Sequence, residues 1–218
     1  MNDRRSGEVW TIDADATLQS VLDDPACPEL LSRALTGVYS WQVRNETTVR
    51  RALKASRRVT EWLAALLALG AAVTIDGEVP LEDLLDGTVK GEVTALHIPT
   101  GGSRTGWGEA HVGRTSADKP IVAAFAAVRI SAGAVEEARV ALTGVWPQPV
   151  RLAEATGTLV GQPLSNDRIR AVAEAVETAV EPQGDYLGSA AYRRAMAGVL
   201  TRRALEACAA ALAAGGGR

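Results

Sequence analysis

Five cations crowd one short stretch of this chain: Arg50, Arg51, Lys54, Arg57 and Arg58, with no carboxylate between Glu46 and Glu61. Spacings of three and four residues would align them along one side of a helix. Such a patch can hold an anion, either a nucleotide phosphate or the acidic surface of a neighbouring polypeptide, because guanidinium groups bind phosphate and carboxylate well. It can equally be a solvated face opposite Leu53 and Val59. Other chemistry is sparse. His97 and His111 are the only histidines, which argues against an all-protein zinc site and against a Ser–His–Asp triad. Cys27 lies in a turn-like Asp-Asp-Pro-Ala-Cys-Pro run, and Cys208 reads as a small core residue of an Ala/Leu helix. Far apart and without metal-type spacing, the two thiols support neither a disulfide framework nor an iron–sulfur cluster within the chain. The glycines of Thr100-Gly101-Gly102-Ser103-Arg104-Thr105-Gly106-Trp107-Gly108 lack a following Gly-Lys-Ser/Thr and a helix behind them. They read as a loop between strands, and as the best boundary in the chain.

The 218 residues are 47% hydrophobic and 22% charged, the balance of a soluble globular protein. No run approaches the ~18 apolar residues of a membrane helix, and Met1–Ser6 has no apolar core behind its charges, so no secretory signal is read there. A cytoplasmic protein without membrane partners is expected. The net charge of −3 argues against a general nucleic-acid binder.

Periodicity supplies the elements that would carry these residues. Residues 7–13 alternate as a strand, and Asp15 or Thr17 can cap a helix bearing Leu18, Val21 and Leu22. A second helix through Leu30, Leu31, Ala34 and Leu35 should stop near Gly37, and a third should span 53–69. Strand 72–75 leads to a turn at Asp76-Gly77, then to a short helical turn over 79–85 and a strand at 92–98. Beyond the glycine-rich stretch, strands are expected at 107–113, 120–131 and 134–146, with a hairpin turn at 131–134. Three helices should follow, over 149–160 from Pro149, 166–180 after the N-cap Ser165, and 190–213 after Ser189. The fold class is therefore α+β, ending in a three-stranded antiparallel sheet with three helices.

A succession of residues in the second half resembles a known family. It comprises Arg139-Val140-Ala141-Leu142, Gly144-Val145, Pro149-Val150-Arg151, Glu154, Leu159, Gly161 and Pro163-Leu164. Further on come Asp185, Gly188-Ser189, Tyr192-Arg193-Arg194, Leu200 and Arg202-Arg203-Ala204-Leu205. Together they look like the C-terminal domain of the medium, flavin-binding subunit of the xanthine dehydrogenase and carbon monoxide dehydrogenase (molybdenum hydroxylase) family. The likeness runs from about Arg114 to Leu212, so 107–213 is expected to be that domain. Residues 1–100 are similar to part of the family's FAD-binding lobe. Within them, Val43-Arg44-Asn45-Glu46-Thr47-Thr48-Val49 matches the approach to its second phosphate-binding turn.

The resemblance implies FAD-site positions at Arg44, Thr48, Arg50, Arg51, Glu61 and His111, but three departures mark that site as degenerate. The family's opening subdomain, with its first phosphate loop, has no counterpart, and the chain is expected to be genuinely short. The Gly-Gly-Asn of the second turn is here Arg50-Arg51-Ala52. An Asp position is Glu61, and a Lys usual near the flavin ring aligns with His111. Glycines let main-chain N–H groups approach an anionic pyrophosphate without a Cβ in the way. Each such bond contributes about 1.5–3 kcal/mol, so losing three would cost roughly 6 kcal/mol, on the order of ten-thousand-fold in affinity.

The family implies an accessory role beside a molybdopterin-binding large subunit and an iron–sulfur small subunit, with those cofactors only in the partners. Docking is expected to persist and FAD electron transfer to be weakened or lost. Two alternatives stay open: FAD retained with the missing loop supplied by another chain, or a stand-alone interaction domain without a redox role. Arg193, Arg194, Arg202 and Arg203 are expected in intra-domain salt bridges and subunit contacts. Glu61 reads as a surface carboxylate, and Trp41, Trp62, Trp107 and Trp146 as anchors for packing or an interface.

Overall fold

The computed structural model describes residues 9–55, 58–100, 104–115 and 118–215. Arg57 of the cationic run lies outside them. The chain divides into two compact units, Met1–Gly102 and Ser103–Arg218.

In the first unit the strands β1 (Val9–Asp13), β2 (Ala72–Thr74), β3 (Glu78–Pro80) and β4 (Ala95–Pro99) form an antiparallel sheet in the order β1-β4-β2-β3. The Asp76-Gly77 turn joins β2 to β3, with Thr74 opposite Glu78. Short helices connect the strands: α1 (Leu18–Asp23), α2 (Glu29–Val38), α3 (Trp41–Glu46), α4 (Val49–Lys54), α5 (Thr60–Ala68) and α6 (Leu81–Leu85). Thr17 caps α1 by accepting from the Ser20 N–H at 3.1 Å.

The helix expected over 53–69 is in fact two. α4 buries Val49, Ala52 and Leu53, and the next turn of that apolar stripe would fall on Ser56 and Arg57. Continuing the helix would carry a cation into the core. The chain turns at Ala55 and restarts as α5, all nine residues of which are buried. A helix buried all round belongs inside the unit.

In the second unit β5 (Arg104–Val112), β6 (Val122–Ser131), β7 (Ala134–Thr143) and β8 (Val150–Leu152) form a second antiparallel sheet in sequential order. A 3-10 helix (Glu154–Leu159), α7 (Asn166–Ala179) and α8 (Ala190–Ala213) complete it. The α+β class holds, but the sheet has four strands rather than three. The helix expected from Pro149 is a strand followed by a 3-10 turn. Val150–Leu152 pair with Ala141–Thr143 on β7, where sheet hydrogen bonds replace the helical ones. The β6–β7 hairpin turns through Ala132 and Gly133 at φ 49° and 83°, the two positive angles such a tight turn needs. Ser165 and Ser189 cap α7 and α8, accepting from the N–H groups of Arg168 and Tyr192.

The glycine-rich stretch is not loop throughout. Gly106 and Gly108 lie within β5, directly beneath α8. A Cβ on Gly106 would stand 2.4 Å from the Cys208 carbonyl oxygen, and one on Gly108 would stand 2.2 Å from that of Ala204. These glycines let the long helix rest on the strand. Cys208 is fully buried there, 3.5 Å from the Ala126 carbonyl, and burial pushes its thiol pKa well above the ordinary value.

Arg193 ties the helices to the sheet. Almost wholly buried, its guanidinium donates to the carbonyls of Ile121 (2.8 Å) and Gly144 (3.0 Å) and to both oxygens of Asp185 (2.8 Å each). Both carboxylate contacts come from one terminal nitrogen, Nη2, and a charge-assisted bond of this kind is stronger than a neutral hydrogen bond. Arg202 pairs with Glu206 at 3.1 Å, one turn on.

Two outcomes follow from this packing. Gly108→Ala should destabilise the chain by roughly 1–3 kcal/mol in urea unfolding, whereas Gly157→Ala, where nothing lies within 4 Å, should not. The Arg193 guanidinium, with the Leu187 N–H next, holds the Asp185 carboxyl below its ordinary value. A depressed folded-state pKa adds stability above the unfolded value of about 3.9, and that stability is lost as pH falls through the folded value. The pH dependence of unfolding free energy below about pH 4 should therefore flatten in Asp185→Asn relative to the unsubstituted chain.

Candidate functional site

The cationic run starts where two loops meet. The Arg50 N–H donates to the Ala14 carbonyl at 2.8 Å and the Val49 N–H to the Ala16 carbonyl at 2.9 Å, while the Leu18 N–H donates back to the Thr47 carbonyl at 2.9 Å. Thr17 and Thr48 pair across the same junction. Thr48 is the N-cap of α4, its hydroxyl accepting from the Arg51 N–H at 3.3 Å and its carbonyl from the Ala52 N–H at 2.9 Å. A helix start normally exposes these first N–H groups, and they are what an anion binds there. In α4 every one of them, from Val49 to Ala52, already has a protein acceptor.

The side chains divide sharply. Arg50 folds back onto Asp15, with Nε and Nη2 each 3.0 Å from a carboxylate oxygen, and also pairs with Glu92. Its charge is met by two carboxylates from distant parts of the chain. Arg44 donates through Nε to Gln19 Oε1 at 2.9 Å and through Nη1 to the carbonyls of Leu35 and Tyr39. It thereby satisfies C-terminal carbonyls of α2, a favourable place for a cation. Arg51, Lys54 and Arg58 are exposed, and among the described residues no carboxylate pairs with them.

Glu61 is not on the surface. It is 1% exposed, in the first turn of α5, where its carboxylate accepts from the Tyr39 hydroxyl at 2.5 Å and the Thr60 hydroxyl at 2.9 Å. The sequence reading erred because the first turn of a helix usually faces solvent, whereas this one enters the core. Burial, then the neighbouring Glu61 charge, drive the Tyr39 pKa far above its ordinary value, so the phenol stays protonated and keeps donating. Charge-assisted bonds of this length are among the stronger ones in proteins.

His111 sits in the second unit, exposed on β5 opposite Ala123. His97 is held on β4 between two threonine hydroxyls, Thr11 at 3.0 Å from Nδ1 and Thr74 at 2.7 Å from Nε2. Cys27 is half-buried, and burial followed by the Asp24 charge pushes its thiol up to about 12, which leaves no reactive thiolate near neutral pH. Among the described residues no three His, Cys, Asp or Glu side chains form a metal-binding group, and no helix is long and apolar enough to cross a membrane. Of the tryptophans, Trp62 is wholly buried and Trp41 is 68% exposed. Trp146 lies under the Arg151 guanidinium at 5.7 Å. Trp107, on β5, is partly buried.

Within the first unit, then, Arg44, Thr48, Arg50, Arg51 and Glu61 follow one another from α3 to the start of α5, but all of their side chains except that of Arg51 meet protein partners. Sequence reasoning missed Asp15, Glu92 and Tyr39. The first two pair with Arg50 across 35 and 42 residues, a distance over which single-sequence patterns say nothing.

Comparison with known proteins places this geometry. The profile of the CO dehydrogenase flavoprotein C-terminal domain matches residues 110–208. The glyceraldehyde dehydrogenase medium chain of Sulfolobus acidocaldarius is 27% identical, over 81% of this chain and 66% of its own length. The uncharacterized protein YgfM of Escherichia coli is 31% identical over 87% of this chain and 69% of its own. The structure of carbon monoxide dehydrogenase from Hydrogenophaga pseudoflava that lacks the Mo-pyranopterin moiety superposes with a TM-score of 0.82. It is 27% identical to this chain, over 96% of it and 78% of the matched chain.

The inward-facing carboxylate gives a direct test. Tyr39→Phe leaves Glu61 short of a donor inside the protein, a change worth about 2–3 kcal/mol. Glu61→Gln in the Tyr39→Phe background should recover part of that loss. Urea unfolding of the two variants measures both.

Proposed function

We propose, since this chain belongs to the medium-subunit flavoprotein family of the molybdenum hydroxylases, that it is an accessory subunit of a multi-subunit molybdenum hydroxylase whose docking role outlasts its flavin site. Its partners on this reading are a molybdopterin-binding large subunit and an iron–sulfur small subunit, and residues 1–100 are a remnant of the FAD-binding lobe. The observation that carries the reading is the internal use of the α4 amides. A glycine turn over a pyrophosphate offers free N–H groups and no Cβ. Here the N–H groups of Val49, Arg50 and Arg51 are bonded to Ala16, Ala14 and Thr48.

Two further observations support it. Arg50, which could have compensated for the lost amides with a guanidinium, has its charge met by Asp15 and Glu92. Glu61, at the family's acidic position, faces Tyr39 and Thr60 rather than solvent. The residues present therefore do not fit FAD in the family's manner, and no electron-transfer step is derived through it. The second unit contains the stretch 110–208 that matches the family's C-terminal domain, with Arg193 and the glycines of β5 holding α8 in place. A maintained second unit, together with a closed cofactor site in the first, is what a docking subunit requires.

The purified complex tests the reading. It predicts that the chain co-purifies with a molybdenum-containing subunit while flavin absorbance near 450 nm stays far below about one FAD per protomer. A full flavin complement overturns the cofactor half of the proposal. A monodisperse chain that never associates with a molybdenum subunit overturns the other half.

A further inference from the structure

Among the described residues, several arginines are neutralised by carboxylates of this chain, Arg50 and Arg193 included. Arg33, Arg129, Arg139, Arg151 and Arg202 each pair with a nearby carboxylate. Arg51, Lys54 and Arg58 are different, and they lie close together in sequence. They are exposed, among the described residues none meets a carboxylate, and Arg51 and Lys54 share the face of α4 opposite buried Val49, Ala52 and Leu53. Immediately before them α3 buries none of its six residues and leaves Trp41 68% and Val43 41% exposed. Trp41 and Val43 are two of the five large exposed hydrophobic side chains among the described residues, both within one short helix.

We propose that α3, α4 and Arg58 form a docking surface for the acidic face of a neighbouring polypeptide. Charge complementarity identifies the occupant. The segment from Thr47 to Thr60 carries five cations and no carboxylate in a chain whose net charge is −3. Unpaired like charges at helical spacing destabilise the isolated segment, and an opposing acidic surface relieves that repulsion. A small phosphate ligand fits less well. It is held by main-chain N–H groups at a helix start, and those of α4 are already bonded within the protein, as is the Arg50 guanidinium. What remains are long side chains that reach outward, suited to surface carboxylates. An exposed tryptophan beside cations matches the residue types enriched at binding hot spots.

The identity of the partner as a subunit of the complex rests on the function proposed above, so the test separates the two. The full chain, as the unsubstituted protein, R51Q/K54Q/R58Q, the control K90Q/R114Q/R168Q, and Trp41→Ala, is assembled with the molybdopterin and iron–sulfur subunits across a range of NaCl concentrations. In parallel each binds a synthetic polyglutamate peptide. The expected result is roughly tenfold weaker assembly for R51Q/K54Q/R58Q at low salt, closing toward 1 M where screening removes the difference. The control should be unchanged, and Trp41→Ala should weaken assembly at every salt concentration. Polyglutamate should bind the unsubstituted chain and lose affinity in R51Q/K54Q/R58Q only. If that variant assembles normally, the docking surface is overturned while the proposed function stands. If the unsubstituted chain assembles with neither subunit, the proposed function fails, and polyglutamate binding then decides this inference alone. Binding of ADP, inorganic phosphate or a single-stranded oligonucleotide that R51Q/K54Q/R58Q abolishes, with assembly unaffected, overturns it in favour of a phosphate ligand.

Discussion

The hydrogen bonds between residues 14–18 and 47–50 govern the first unit. Through Ala14, Ala16 and Thr47 three main-chain N–H groups find carbonyl acceptors, at Arg50, Val49 and Leu18. One junction therefore starts both α1 and α4. Unpaired N–H groups inside a protein are costly, and a helix start must find acceptors somewhere. A cofactor phosphate is one solution, and carbonyls from a neighbouring loop are another. This chain uses the second, and Thr48 completes it with its own hydroxyl. Arg50, Glu61 and Arg44 conform to the same logic, each matched by a protein group of complementary polarity. The main-chain donors at the start of α4 and the side chains of Arg44, Arg50 and Glu61 are thus satisfied within the unit.

The second unit is organised by close approach. Gly106 and Gly108 bring α8 onto β5, and Gly198 is similarly confined where α7 passes α8, with a Cβ there 3.1 Å from the Ala173 carbonyl oxygen. Arg193 then binds the start of α8 to carbonyls at Ile121 and Gly144 and to Asp185. A buried arginine is stable only when its donors are met, and here carbonyls and a carboxylate meet them. The consequence is that the start of α8 is fixed to the sheet by both its backbone packing and its charge.

How much of this the sequence disclosed depended on the range of the interaction concerned. Local signals were read correctly: the caps at Thr17, Ser165 and Ser189, the hairpins at Asp76-Gly77 and Ser131–Ala134, and the burial of Cys208. Pattern reading failed where tertiary demands override local preference. The α4–α5 break arises because the apolar stripe and the cations cannot share one continuous helix. Pro149 suggested a helix, but β7 offered an edge for Val150–Leu152. Gly106 and Gly108 looked like a linker because only α8, about a hundred residues away, explains them. At the candidate site, Arg50 and Arg51 were conspicuous from residue type alone. The fate of Arg50 was not, since Asp15 and Glu92 reach it only in the folded chain.

The α4 amides are already satisfied without a dinucleotide. Hydrogen–deuterium exchange of the isolated full chain, with and without added FAD, measures this at the bonds themselves. The Leu18, Val49 and Arg50 amides should be protected in the absence of FAD and exchange at the same rate in its presence. Rapid exchange in the free chain, slowed at these three positions when FAD is added, would contradict it.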